Sequence, residues 1–342
     1  MNFGLTHKLG YSSGHDHIQI SEKILRVISS DTSEQNPVIP ERSIPMNSTF
    51  DYYRTHGAYT GHGNEELISG ETSADIGELV RIVQANMIHA HWLPRYGLAI
   101  PEVRRNREMN LRTLHDRFQN IRDLAGTFAT SHPHPKEIRS IGTCRDFTLL
   151  LTTLLRDKGI PAREWCGFAT YFLPDHFEDH WICEWWNKEQ QRWILTDSQL
   201  DAFQSDILKT DFDPLDIPRE RFLNGAQAWT LCREGKYNPD HFGIFEFHGM
   251  DFIKGNFIRH IASLNKVPLL PWDCWGLINK EYAKMSEDDL SFLDNLAQLT
   301  ADTDVNFDKI HSIYSSDLRV KMDGTVTSYC SSFPVTVSGL AS

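Results

Sequence analysis

The sequence lacks most of the features that would assign it quickly. Its six cysteines (144, 166, 183, 232, 274 and 330) include no CxxC pair and no zinc-ligand spacing, so neither a disulfide framework nor a cysteine-built metal site is expected. There is no block or stripe of Lys and Arg. Thirty-four basic residues stand against 46 acidic ones, a net charge of −12, which argues against a nucleic-acid partner. No apolar run approaches the roughly 20 residues of a membrane helix, and Met1 to Lys8 has no signal-peptide core. The expected setting is the reducing cytoplasm, with no membrane partner. A D-x-[DN]-x-[DN]-G calcium loop is also missing, so no metal and no cofactor is expected. No internal repeat is present.

What remains is a chain of 342 residues, 40% apolar, with nine tryptophans, long enough to bury a substantial core. Residues 1–64 are the least legible. Ile18 to Ile28 fits a strand or a short amphipathic helix, and Ser29 to Thr49, with Pro37, Pro40 and Pro45, reads as a surface connection. His15 and His17, like His89 and His91, stand two apart. Without carboxylates at matched spacing these read as ordinary loop or helix-surface histidines.

From Glu71, apolar residues at 76, 79, 80, 83 and 87 predict a helix ended by Pro94 and Gly97. A second helix is expected from Arg104 to about Thr127, followed by a loop at Ser131 to Pro135. The stretch Gly142 to Asp201 is the most informative. Thr143 can cap a helix that starts at Cys144, with Asp146 reaching back. Phe147, Leu150, Leu151, Leu154 and Leu155 form its buried stripe, and Gly159 with Pro161 stops it. A thiol at such a start lies near free backbone N–H groups, which lower its pKa and can hold an oxyanion.

Further on, Ala162 to Phe172 is β-prone, and His180 to Trp186 with Gln191 to Asp197 reads as a hairpin around a loop at 187–190. That loop sets His180 directly opposite Asp197 on one face of the sheet. Thiol, imidazole and carboxylate are the parts of a nucleophile, its base and the group that orients the base.

These residues carry a resemblance. Gly142-x-Cys144-Arg145-Asp146-Phe147, Gly159-Ile160-Pro161-Ala162-Arg163, Asp179-His180-Trp181 and Trp193 to Asp197 resemble the transglutaminase-like superfamily of papain-type thiol enzymes. The downstream Phe212 to Asp216 and Leu270 to Gly276 are similar to a bacterial subgroup of it. The resemblance implies Cys144 as nucleophile, His180 as general base and acid, and Asp197 as orienter. It also implies a second oxyanion donor upstream, usually Trp or Gln; Trp92 and Gln84 are the candidates, and no spacing rule decides between them.

The expected fold is therefore α+β and papain-like, a nucleophile-bearing helix packed on a small antiparallel sheet. The expected organisation is an N-terminal extension (1–64), a catalytic domain (65–280) and a C-terminal helix and tail (281–342). The expected reaction is acyl transfer or hydrolysis on an amide through a thioester. The partner is a peptide or amide-bearing small molecule, with water or an amine as acceptor. The alternative is a catalytically silent binding module that keeps the fold as a scaffold. Beyond the triad, Asp201 to Asp216 reads as extended, Pro218 as a helix start, Ser286 as a helix cap, and Thr325 to Ser342 as an edge strand or disordered tail.

Overall fold

The structure, a computed structural model, describes residues 47–63, 73–330 and 333–341. The element expected at 18–28, His15 and His17 lie outside the described residues. So does most of the connection expected at 29–49, whose last three residues instead begin helix α1 (Asn47–Arg54). The architecture is α+β, with ten α-helices and three sheets among the described residues. None of these helices is long and apolar enough to cross a membrane.

Helix α2 (Ile76–Asn86) is capped by Asp75, whose carboxylate accepts the Glu78 N–H at 2.9 Å. It stops at Asn86, short of the expected Pro94. The Asn86 side chain exchanges two hydrogen bonds of 2.8 Å with the backbone of Ala129, and the chain turns extended as β1 (Met87–His89). The single helix expected over 104–127 is two, α3 (Glu102–Met109) and α4 (Leu114–Ala125). Thr113 interrupts it by capping α4, accepting the Asp116 N–H at 3.1 Å. Strand β2 (Ser140–Gly142) pairs parallel with β1 and delivers the chain to the next helix.

That helix, α5 (Cys144–Asp157), starts and stops where its signals place it. Asp146 accepts the Thr143 N–H at 2.8 Å, and Gly159 takes the left-handed conformation (φ 69°) past the end. Its five stripe residues are almost wholly buried. At roughly 1.5–3 kcal/mol each, they anchor α5 to the sheet firmly.

The sheet it packs on contains β3 (Ala162–Ala169), β4 (Phe177–Asn187) and β5 (Arg192–Thr196). A short helix α6 (Ala202–Leu208), capped by Asp201, replaces the expected extended connection. Pro218 starts only a 3-10 turn (Arg219–Arg221) in place of the expected helix; β6 (Phe222–Asn224) intervenes, and Asn224 caps α7 (Gly225–Arg233). Strands β7 (Phe242–Ile244) and β8 (Phe247–His248) complete the sheet, whose order is β6-β3-β4-β7-β8 with β5 also on β4. Helix α8 (Met250–Leu264) packs across β3. Strand β9 (Asp273–Cys274) follows, then α9 (Glu287–Thr300), capped by Ser286 as expected, and α10 (Phe307–Ser316). The tail forms β10 (Thr325–Ser328) and β11 (Val335–Ser338), a three-stranded sheet with β9. Leu293, Ile310 and Val326 from these last elements share one hydrophobic core with Leu150 and Leu154 of α5.

Two features of the large sheet position the site. The β4–β5 loop holds residues 188–191, not 187–190, because the Asn187 side chain builds the turn. Its carbonyl accepts the N–H groups of Glu189 and Gln190 at 2.9 and 3.0 Å, and Gln191 is left-handed (φ 50°). Asn187 therefore pairs with Arg192 and Cys183 with Thr196, a register displaced by two residues. Second, β4 is paired along one edge by β3, but its other edge is shared. Strand β7 pairs with Phe177 and Glu178, and β5 with Cys183 to Asn187. Among the described residues, no strand pairs with that edge at Asp179 to Ile182, which leaves a notch in the sheet.

Candidate active site

Each of the three triad candidates reaches this notch by a different local device. His180 lies on β4 within it. Asp197 follows the last residue of β5, where the chain leaves the sheet and its N–H turns to the Pro214 carbonyl at 2.9 Å. The two-residue displacement makes His180 and Asp197 diagonal rather than direct partners. Because side chains alternate with period two, an even displacement keeps both on one face, within diagonal reach. His180 Nε2 and Asp197 Oδ2 are 2.7 Å apart, and both residues are buried.

The Asp197 carboxylate is fully engaged. Oδ2 also accepts the Tyr171 hydroxyl at 2.8 Å, and Oδ1 accepts the Gln199 N–H at 2.9 Å. Tyr171 and Phe172 stand edge-on against the imidazole, with centroids 5.9 and 4.8 Å away. The ring is thus held by one strong hydrogen bond and two aromatic walls. With Nε2 committed to Asp197, Nδ1 is the nitrogen left to face a nucleophile.

Cys144 comes to the same place from α5. It clusters with Cys166 and Trp181, the residue after His180, and the backbone N–H groups of Trp181 and Arg145 face its sulfur. The helix-start argument predicts a lowered thiol pKa, and the structure reverses that. Cys144 is only 7% exposed, and burial pushes the thiol well above its ordinary value; Asp179 and Asp197 push the same way. The two N–H groups pull downward with less effect. Desolvation outweighs the helix terminus, so the resting sulfur is a neutral thiol.

Asp179, next to the base, is itself buried, and burial raises its pKa. Its carboxylate accepts the Asn256 amide at 2.7 Å, and the same amide reaches the Gly167 carbonyl at 3.2 Å. Asn256 thus ties α8 to β4, which carries the base, and to its neighbour β3.

The two oxyanion candidates differ. Both amide protons of Gln84 are committed, to the carbonyls of Ser198 (3.2 Å) and Leu200 (3.1 Å). Trp92 sits in a three-residue 3-10 turn and packs with Trp165, Tyr171, Phe172 and Ile182. Among the described residues its indole N–H has no hydrogen-bond partner. Gln84 also lines a cavity of about 10 Å³ with His89, Phe147 and Gln199, which has room for little more than one water. Cys144, His180 and Asp197 are not in its lining.

His89 and His91 lie with ring centroids 5.5 Å apart and, among the described residues, no carboxylate joins them into a metal-binding group. Burial pushes His89 well below the usual imidazole value and His91 down to about 4, so both are neutral. The residues that sequence reasoning did not reach are Tyr171, Phe172 and Gln199. Tyr and Phe at a strand end look like any core pair, and nothing in their spacing marks them as partners of the triad.

No family model, curated protein or solved structure matches the chain.

Proposed function

We propose that the chain is a papain-like thiol enzyme of the transglutaminase-like kind, which transfers an acyl group from an amide through Cys144. The observation that carries this reading is the buried 2.7 Å bond between His180 and Asp197, beside the strand N–H that meets the Cys144 sulfur. A capped helix bearing a thiol, packed on a sheet bearing an oriented imidazole, is the arrangement such chemistry needs; the sheet here is antiparallel except where β4 pairs with β7.

Because the resting thiol is neutral, the base has to act during attack. The S–H proton passes to His180 Nδ1 as the sulfur bonds to the amide carbon. Asp197 stabilises the imidazolium and fixes the ring. The carbonyl oxygen becomes an oxyanion, for which the Arg145 N–H at the helix start is the backbone candidate and the Trp92 indole the side-chain candidate. Gln84 is the weaker candidate, since its donors are occupied. The tetrahedral species collapses as His180 returns the proton to the leaving amine, which leaves a thioester. Water or an amine then attacks, giving its proton to His180, and the thiol is released.

One observation favours the second reading, a silent scaffold module. Cys144 is 7% exposed, and the nearby cavity holds about one water. Catalysis therefore requires a side-chain or loop movement that opens the notch. Incubation with peptide and small-amide libraries, with and without amines, separates the readings. Wild type is expected to release amine and show a thioester mass adduct, and Cys144→Ala to lose at least about a thousandfold of the rate. No adduct and no turnover across the libraries, or turnover that survives Cys144→Ala, sinks the proposal.

A further inference from the structure

Away from the notch, at the other end of α5, a second cluster has no part in the acyl-transfer reading. Asp157, the last residue of α5, meets two histidines from the segment His56-Gly57-Ala58-Tyr59-Thr60-Gly61-His62. His56 Nε2 lies 2.8 Å and His62 Nε2 3.0 Å from the same oxygen, Asp157 Oδ1. The two rings stand edge to face with centroids 5.2 Å apart. Their three candidate ligand atoms all lie within 4.8 Å of one another, the only such group of three among the described residues.

The segment is held in place before any ligand arrives. The Tyr59 hydroxyl donates to the Ala341 carbonyl at 2.8 Å, and Arg156, next to Asp157, donates to Thr60 Oγ1 at 3.1 Å. The Gly61 N–H reaches the Gly57 carbonyl at 2.9 Å, which folds the two histidines towards each other. Their side chains remain partly open to solvent, 29% for His56, 12% for His62 and 17% for Asp157, so an ion has access.

We propose that His56, His62 and Asp157 form a binding site for a divalent first-row transition cation, with Zn²⁺ as the best-fitting member. Two imidazoles and one carboxylate suit zinc and its neighbours rather than calcium or magnesium, which prefer oxygen ligands throughout. Bonds of about 2.0–2.2 Å in a tetrahedron set ligand atoms roughly 3.3 Å apart. The two histidine–carboxylate distances need to lengthen by only a few tenths of an ångström, and the two imidazole nitrogens already lie within 4.8 Å of each other. Three protein ligands leave a fourth position for water.

His56 Nδ1 is buried and has no hydrogen-bond partner among the described residues, so none of them gives this ring the outer bond that usually strengthens a metal ligand. The affinity expected is therefore micromolar rather than nanomolar. The bound ion would pin the 56–62 segment to the end of the helix that carries Cys144.

The test uses tag-free, chelator-treated protein titrated with Zn²⁺ by calorimetry and with Co²⁺ by visible absorption. Wild type is expected to bind one equivalent, to give the absorption of a low-coordinate Co²⁺ site, and to gain thermal stability with Zn²⁺. His62→Gln and Asp157→Asn should each weaken binding at least about tenfold and remove the thermal shift. Circular dichroism of the metal-free variants checks that they fold; His56→Gln takes the place of either one that does not. Absence of saturable binding, or binding unchanged in these variants, overturns the proposal. Neither outcome depends on any acyl-transfer activity.

Discussion

Replacing Asp197 by Ala tests whether the orienting network is formed as described. Three donors converge on this carboxylate, from His180 at 2.7 Å, Tyr171 at 2.8 Å and the Gln199 backbone at 2.9 Å. Asp197 is 1% exposed, His180 2% and Tyr171 5%, so water cannot replace the lost acceptor without rearrangement. Each stranded donor costs about 1–3 kcal/mol. Water entering the vacated space recovers part of that, and about 3–5 kcal/mol is the expected loss of stability. Tyr171→Phe removes one donor and leaves the other two in place, so it should cost about 1 kcal/mol. The pair then forms a cycle. In the Tyr171→Phe background, Asp197→Ala strands one donor fewer, and the two losses should fall short of additivity by about 1 kcal/mol. Urea unfolding followed by tryptophan fluorescence and far-UV circular dichroism reads all three variants. A loss below about 1 kcal/mol for Asp197→Ala, or strict additivity with Tyr171→Phe, would falsify the network.

Three further outcomes follow from the same structure. Native Cys144 should react with iodoacetamide at pH 7 more slowly than free cysteine, and at the free rate once unfolded in urea, because burial holds the thiol neutral; faster native labelling would refute this. His260 is fully buried with neither ring nitrogen bonded among the described residues, and burial, helped by Arg163, pushes it down to about 3. The unfolded state therefore binds a proton below about pH 6.5 that the folded state refuses, and stability falls with pH between 6.5 and 3 by up to about 1.4 kcal/mol per unit. His260→Leu should be neutral or stabilising at pH 7 and flatten that acid limb, and an unchanged slope would count against it. At Gly167 a Cβ would lie 2.1 Å from the Leu223 carbonyl oxygen and 2.7 Å from Asn224 Cα, both backbone, so β3 and β6 would have to part. Gly167→Ala should lose about 3 kcal/mol by thermal or urea unfolding, and a loss within about 0.5 kcal/mol would show that the strands are not so closely paired.

What the sequence made legible was local. The limits of α5 are written in Thr143, Asp146 and Gly159, each acting within a few residues of itself, and the same holds for Ser286 ahead of α9. Where a distant partner decides, sequence reasoning went astray. Helix α2 ends at Asn86 because of Ala129, 43 residues on, and no periodicity records that. Helix α8 escaped notice because it is buried on almost every side, so its apolar residues show no single stripe. The His56–Asp157 contact spans 101 residues and was invisible to any rule of spacing. The helix-terminus argument for Cys144 failed for a related reason. It counted the N–H groups beside the sulfur but not the burial imposed by Trp181 and Cys166 from the sheet.

The hairpin shows why an error of register left the pairing of base and orienter intact. A displacement of one residue would have turned Asp197 to the opposite face of the sheet, on the side of Cys183, and separated it from His180 by the thickness of the strand. A displacement of two keeps the face and only lengthens the reach along it. That extra reach is supplied because Asp197 stands one residue past the end of β5, where the backbone is free to turn towards β4. The same shortness of β5 leaves β4 unpaired at Asp179 to Ile182, and so frees the Trp181 N–H to meet the Cys144 sulfur instead of a neighbouring strand. Extending β5 by pairing through residue 199 would align His180 with a direct partner, but it would close the edge at which the helix start docks. The imperfect pairing of the hairpin thus holds His180 against Asp197 while leaving the edge at Trp181 open to Cys144.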